Sequence, residues 1–186
     1  MIRRTFIAVK IPVSKQTAEK IQDIKSELQN EKIKWVEIFN MHITLFFVGN
    51  TDEKLIQNIS FHLNDLLKSK KSFILKGKGI GVFKNLNNPL VLWLGIEESE
   101  YLEHLKLEID RMMEKLGFEI EGRKFKPHLT LGRIKYLNDK RKFKNVLNNY
   151  EEIDFQDFDI DKIFFYESKL TPDGPVYKVI KQINLY

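Results

Sequence analysis

His42 and Thr44 stand two residues apart in MHITLFF (Met41–Phe47), and His128 and Thr130 repeat the arrangement in PHLTLGR (Pro127–Arg133). One His-x-Thr triplet arises easily by chance; two with matching neighbours ask for a joint explanation. Residues two apart in a strand share a face, so each histidine projects beside its threonine. Met41, Ile43 and Leu45 in one strand, and Leu129 and Leu131 in the other, turn to the opposite side, which reads as core. Each polar pair thus sits on a mount anchored by apolar packing, as reacting groups need. Imidazole has an unperturbed pKa of about 6.5 and serves as base or acid near neutrality. Two of them across a cleft divide the labour of phosphoryl chemistry: one takes a proton from the nucleophile, the other gives one to the leaving oxygen. The threonine hydroxyls donate to non-bridging phosphate oxygens, and Arg133 adds a planar charged fork suited to bidentate phosphate contact. Gly132 beside it is expected to let backbone approach the anion closely. The scheme calls for no metal and no cofactor.

These groups must be positioned by strands and helices that the pattern also announces. RTFIAVKI, MHITLFFV, FILKGKGIGVF, LVLWLGI, HLTLGRI, KIFFYESKL and VYKVIKQINL alternate and are rich in β-branched and aromatic residues, as strands are. Helical spacing puts Ala18, Ile21, Ile24 and Leu28 on one stripe, Leu55, Ile59, Leu63 and Leu66 on a second, and Leu102, Leu105, Ile109, Met112 and Leu116 on a third. Thr51, Asp52 and Ser99 are candidate N-caps and Gly117 a helix stop. The mixture predicts an α+β fold with mainly antiparallel sheets. No Pro/Gly/Ser-rich linker divides residues 1–186, so a single domain is expected. The two histidines are 86 residues apart, close to half the chain, which suggests an internal duplication whose similar lobes face each other across a cleft.

The chain has 186 residues, 42% of them apolar and 12% aromatic, enough for a globular core. It contains no cysteine, which rules out a disulfide, a thiolate metal site or a cysteine nucleophile and agrees with a reducing compartment. Lys10 interrupts the first apolar run well short of a signal or membrane-spanning length, so a soluble cytoplasmic protein is expected. A net charge of +5 favours a polyanionic partner such as RNA. Arg123, Lys124, Lys126, Arg133, Lys135, Lys140, Arg141, Lys142 and Lys144 crowd around the second motif, with Lys140–Lys144 read as a solvated charged face. GKGIG (Gly77–Gly81) imitates a phosphate loop, but Val82 and Phe83 follow where a helix would be needed, so it reads as strand or bulge. His62 and His104 fall within helical patterns and read as structural or solvated, and the aspartates of DFQDFDID as the exposed positions of a strand.

HITLFF and HLTLGR resemble the paired motifs of the two-histidine phosphoesterase superfamily, in the His-x-Thr-x-x-Phe and His-x-Thr-x-x-Arg forms of the RNA 2′,3′-cyclic phosphodiesterase family, also called 2′-5′ RNA ligases. RTFIAVKIP resembles that family's opening strand, GIGVFKNLNNPLVLWLGI its central hairpin and ESKLTPDGPVYKVI its closing segment, so the likeness spans nearly the whole chain. The resemblance implies a two-lobed, pseudo-symmetric α+β fold with flanking helices around a V-shaped cleft. It implies hydrolysis of an RNA 2′,3′-cyclic phosphate end to a 2′-phosphate; a monomer with no membrane partner is expected. By the same resemblance His42 is the general acid for the departing O3′, His128 the base that activates water, Thr44 and Thr130 phosphate ligands, Arg133 the stabiliser of the transition state, and Phe47 a platform for the terminal base. A related cyclic or 2′-linked phosphate, the reverse ligation, and noncatalytic binding of RNA ends are the competing readings. Phe47 and Arg133 each lie five residues after their histidine, so in a regular strand they would point away from it. A bulge or strand end must intervene if they share the site, and Phe46 has the parity that Phe47 lacks.

Overall fold

The computed structural model describes residues 2–120, 122, 124–172 and 174–186, so Arg123 of the basic cluster lies outside the described residues. In chain order the elements are β1 (Arg3–Lys10), α1 (Lys15–Glu27), β2 (Lys32–Trp35), a 3-10 turn (Ile38–Asn40), β3 (His42–Thr51), α2 (Glu53–Leu67), β4 (Phe73–Phe83), β5 (Val91–Ile96), α3 (Glu100–Lys115), β6 (His128–Tyr136), α4 (Lys140–Tyr150), β7 (Asp154–Ile160), β8 (Lys162–Thr171) and β9 (Gly174–Asn184). They build two sheets, ordered β3-β1-β8-β9 and β2-β6-β5-β4-β7, and every paired neighbour is antiparallel. The chain passes from one sheet to the other and back, so each sheet combines strands far apart in sequence. α2 and α3 lie against β9 and β3, while α1 and α4 lie against β7 and β4.

Side-chain caps open the helices. Ser14, Asp52, Ser99 and Asp139 accept from the backbone N–H of Thr17, Leu55, Leu102 and Lys142, each worth about 1 kcal/mol. Gly117, at φ +89°, ends the α3 segment in a left-handed conformation that glycine adopts without strain. Thr51 is no cap: it closes β3, buried, with its hydroxyl 2.7 Å from that of Thr5. The middles of the apolar stripes are buried as expected, with Ile21, Ile24, Ile59, Leu63, Leu102, Leu105 and Ile109 in the core, and the stripes of α2 and α3 differ only towards their ends. Ile56, Leu67 and Met113 are buried, while Leu55, Leu66, Met112 and Leu116 lie at the core's margin, because α2 and α3 pack on each other as well as on the sheet. In α1, Thr17 is buried beside Ile21 and Ile24, its hydroxyl satisfied by donating to the Phe155 carbonyl.

Two elements are additions to the sequence reading. α4 carries the lysine-rich run, whose charges do stay exposed, yet Phe143, Val146 and Leu147 are buried beneath them. β2 is a short edge strand held against β6. The glycines of GKGIG lie within β4, bulged around Gly79, as expected of a strand. Asp154, Asp157 and Asp159 point outward from β7, and His62 and His104 are exposed on α2 and α3. The main core spans both sheets, whereas Phe6, Ala8, Phe164 and Tyr166, with Tyr177 beside them, form a separate aromatic patch on the first sheet. No helix among the described residues is long and apolar enough to cross a membrane.

Candidate active site

His42 and His128 are the first residues of β3 and β6, and both rings are held in the same manner. His42 Nδ1–H donates to the Asn40 carbonyl at 2.7 Å, and His128 Nδ1–H to the Lys126 carbonyl at 2.8 Å. In each case the acceptor lies two residues upstream. With Nδ1 occupied, Nε2 is the nitrogen left to exchange protons. The His42 ring lies 5.0 Å from Phe6 and 5.1 Å from Tyr177 between centroids, and His128 stands perpendicular to Phe83 at 4.6 Å. β3 and β6 meet between the sheets, close enough that charge on His128 lowers the pKa of His42. Burial is the larger cause and brings both imidazoles below the ordinary value of 6.5, against the opposing pull of the two carbonyl hydrogen bonds.

The parity of Phe47 and Arg133 is settled by a matched pair of bulges. Along β1 the register steps from Ala8↔Thr44 to Ile7↔Phe46, so β3 holds an extra residue at Leu45. Along β5 it steps from Trp93↔Thr130 to Leu92↔Gly132, with Leu131 the extra residue of β6. Both bulges fall at the leucine after the threonine. Each one shifts the alternation by a residue, so Leu45 and Phe46 are buried in succession, as are Leu131 and Gly132, and the residue that follows emerges exposed. Phe47 is 52% exposed and Phe46 8%. His42, Thr44 and Phe47 therefore share one face of β3, and His128, Thr130 and Arg133 one face of β6.

Gly132 has a different task from the one its position suggests. It is buried, and a Cβ there would lie 2.5 Å from Ile33 Cγ2 and 3.3 Å from the Lys34 carbonyl oxygen. Its bareness lets β2 close against the bulge and leaves no opening for an anion. Gly132→Ala is expected to cost about 1–3 kcal/mol by overpacking, read as a lower midpoint in denaturant at unchanged slope; an unchanged midpoint would contradict this packing role.

Tyr177, Arg4 and Trp93 also belong to this region and went unmarked in the sequence. Burial raises the Tyr177 phenol above 10.0 while the charges of Arg133 and Arg4 pull it down, so two arginines from opposite sheets act on one hydroxyl. The Arg4 guanidinium lies 4.9 Å above the centre of the Phe47 ring. Trp93, opposite Thr130, covers Gly81, and its Nε1–H is buried without a partner among the described residues. No local pattern singles these residues out; they arrive through the pairing of β1, β5 and β9 with their neighbours.

The duplicated mount has a counterpart in known proteins. The model of the LigT-like phosphoesterase family matches residues 11–93 and again 94–177, each match enclosing one His-x-Thr motif. The chain belongs to the LigT-like phosphoesterase family. Curated relatives include proteins named RNA 2′,3′-cyclic phosphodiesterase from Methanocaldococcus jannaschii, 39% identical over 96% of this chain and 99% of the relative, and from Thermotoga maritima, 39% identical over 95% and 92%. A crystal structure from Thermus thermophilus superposes with a TM-score of 0.81 at 25% identity, covering 98% of this chain and 97% of the other. The E. coli LigT complexed with 3′-AMP gives 0.77 at 20% identity, covering 100% and 99%, and shows the shared fold. This LigT-like phosphoesterase thus has the two-lobed, pseudo-symmetric α+β architecture anticipated from its sequence, and it is an enzyme of phosphoester chemistry.

Proposed function

We propose that this LigT-like phosphoesterase hydrolyses RNA 2′,3′-cyclic phosphate ends to 2′-phosphates, acting as a monomer in the cytoplasm. The observation that carries the reading is the pair of imidazoles on matched strands, each with Nδ1 fixed by a carbonyl and Nε2 without a hydrogen-bond partner among the described residues. The relatives' common name supplies the substrate class, a single chain supplies both halves of the site, and the absence of cysteine suits a reducing compartment. In the proposed reaction His128 Nε2 takes a proton from water as its oxygen attacks phosphorus. The P–O3′ bond breaks, and the Nε2–H of protonated His42 gives its proton to O3′, leaving a 2′-phosphate and a 3′-hydroxyl. Thr44, Thr130 and Arg133 hold the phosphoryl oxygens as charge builds, and Phe47 stacks on the terminal base.

Incubation with a short RNA carrying a 2′,3′-cyclic end is expected to yield a 2′-phosphate, in the presence of excess EDTA as in its absence, because the proposed groups meet the developing charge themselves. A 3′-phosphate product would overturn the assignment of the leaving oxygen; activity lost to EDTA and restored by Mg²⁺ would overturn the metal-free scheme. The pH profile of kcat/KM is expected to be bell-shaped and centred on the acid side of 6.5, since both histidine values are lowered in the free enzyme. As pH falls His128 becomes charged and stops accepting a proton; as pH rises His42 loses the proton it must donate. Bound phosphate favours imidazolium, so the alkaline limb of kcat should lie above that of kcat/KM. A flat profile from about pH 5 to 9 would end the division of labour.

Phe47→Leu tests the platform. With the ring exposed, the variant should keep its melting temperature while KM rises by about five- to a hundredfold, for about 1–3 kcal/mol of stacking. A lower melting temperature with unchanged kinetics would make Phe47 a packing residue.

A further inference from the structure

Adjacent arginines on β1 have opposite surroundings. Arg3 pairs with Glu53 at 2.6 Å and Glu167 at 3.8 Å. Arg4 forms no ion pair among the described residues; its guanidinium rests on Phe47. Strand alternation explains the difference: Arg4 shares its face with Phe6 and Ala8, the aromatic patch beside His42, while Thr5 is buried on the other side. A cation without a counter-ion, lying on an aromatic ring next to a phosphate-binding cluster, is suited to a second anion.

The substrate's covalent geometry says which anion. In a nucleoside 2′,3′-cyclic phosphate, the base on C1′ and the 5′ oxygen on C4′ both project from the ribose away from the reacting phosphate. With that phosphate between His42 and His128 and the base on Phe47, the 5′ substituent emerges beside the base, where Arg4 stands. Phe47 is half exposed and Arg4 lies over its ring, which puts the guanidinium within reach of a nucleotide whose base stacks there. We propose that Arg4 binds the phosphodiester on the 5′ side of the terminal nucleotide, so that the enzyme prefers a cyclic end bearing a 5′-phosphate over one with a free 5′-hydroxyl; this rests on the functional reading above. The guanidinium fork suits such a contact, and its charge adds to that of Arg133 around Tyr177.

The test compares one nucleoside 2′,3′-cyclic phosphate with and without a 5′-phosphate. The parent is expected to favour the 5′-phosphorylated form by about 10- to 100-fold in kcat/KM, mostly through KM, as suits a charged hydrogen-bonded contact. Arg4→Ala should bring that ratio to about one and Arg4→Lys should restore it in part. Phe47→Leu should weaken both forms alike and keep the ratio, which separates the anion contact from loss of the ring. Equal use of both forms by the parent, or a preference that survives Arg4→Ala, overturns the Arg4 assignment alone; hydrolysis of neither form while a short RNA with a cyclic end is cleaved also overturns that assignment, and cleavage of none of the three overturns the functional reading beneath it.

Discussion

Alanine in place of His42 or His128 is expected to lower kcat by about 10²–10⁴, with KM changed far less, because general acid or base assistance acts in the transition state and contributes little to binding. Both rings sit at the start of their strands with Nδ1 spoken for, so what alanine removes is proton exchange at Nε2. The fold should survive, since neither imidazole belongs to the buried core. The variants should also differ in kind. Without His42 the alkaline limb of the kcat/KM profile disappears; without His128 the acidic limb does. The double variant should lose little beyond the worse single one, as groups acting in one step are not additive. A folded variant with near-normal turnover would remove that histidine from the chemistry, and loss of the opposite limb from the one named would exchange the two roles.

Arg133→Ala should reduce kcat by about 10²–10³, the usual consequence of removing one preorganised donor from developing phosphoryl charge. Arg133→Lys is expected to recover only a small part of this, because an ammonium keeps the charge but cannot reproduce two parallel N–H donors. The side chain is exposed beyond the β6 bulge, on the same face as His128 and Thr130, so melting temperature should hold in both variants. A lysine variant as active as the parent would make Arg133 a general attractor of anions with no directed contact.

The matched bulges show where sequence reasoning stops. His42, Thr44, His128 and Thr130 were legible because alternation over two residues is local: it depends only on an extended backbone. Phe47 and Arg133, five residues on, depend on whether one residue is skipped in between, and that is set by partner strands: β1 for one, β5 for the other. Gly132 hinted at irregularity in β6, but its absent side chain makes room for Ile33, from the edge strand β2 that sequence did not anticipate. α4 had a usable signal in Phe143, Val146, Leu147 and Tyr150 behind Asp139, masked by the lysines between them.

From the sequence alone came the strand-borne His-x-Thr pairs, the α+β class, the duplication and the kinds of proton and phosphate chemistry open to imidazole, hydroxyl and guanidinium. Those properties follow from residue type and short-range backbone geometry. Only the tertiary structure set the parity of Phe47 and Arg133, brought Tyr177 and Arg4 to the site and aimed each Nε2 by tying Nδ1 to the carbonyls of Asn40 and Lys126. Each of these depends on register between distant strands or on a main-chain oxygen, and neither is written in the side chains that neighbour it along the chain.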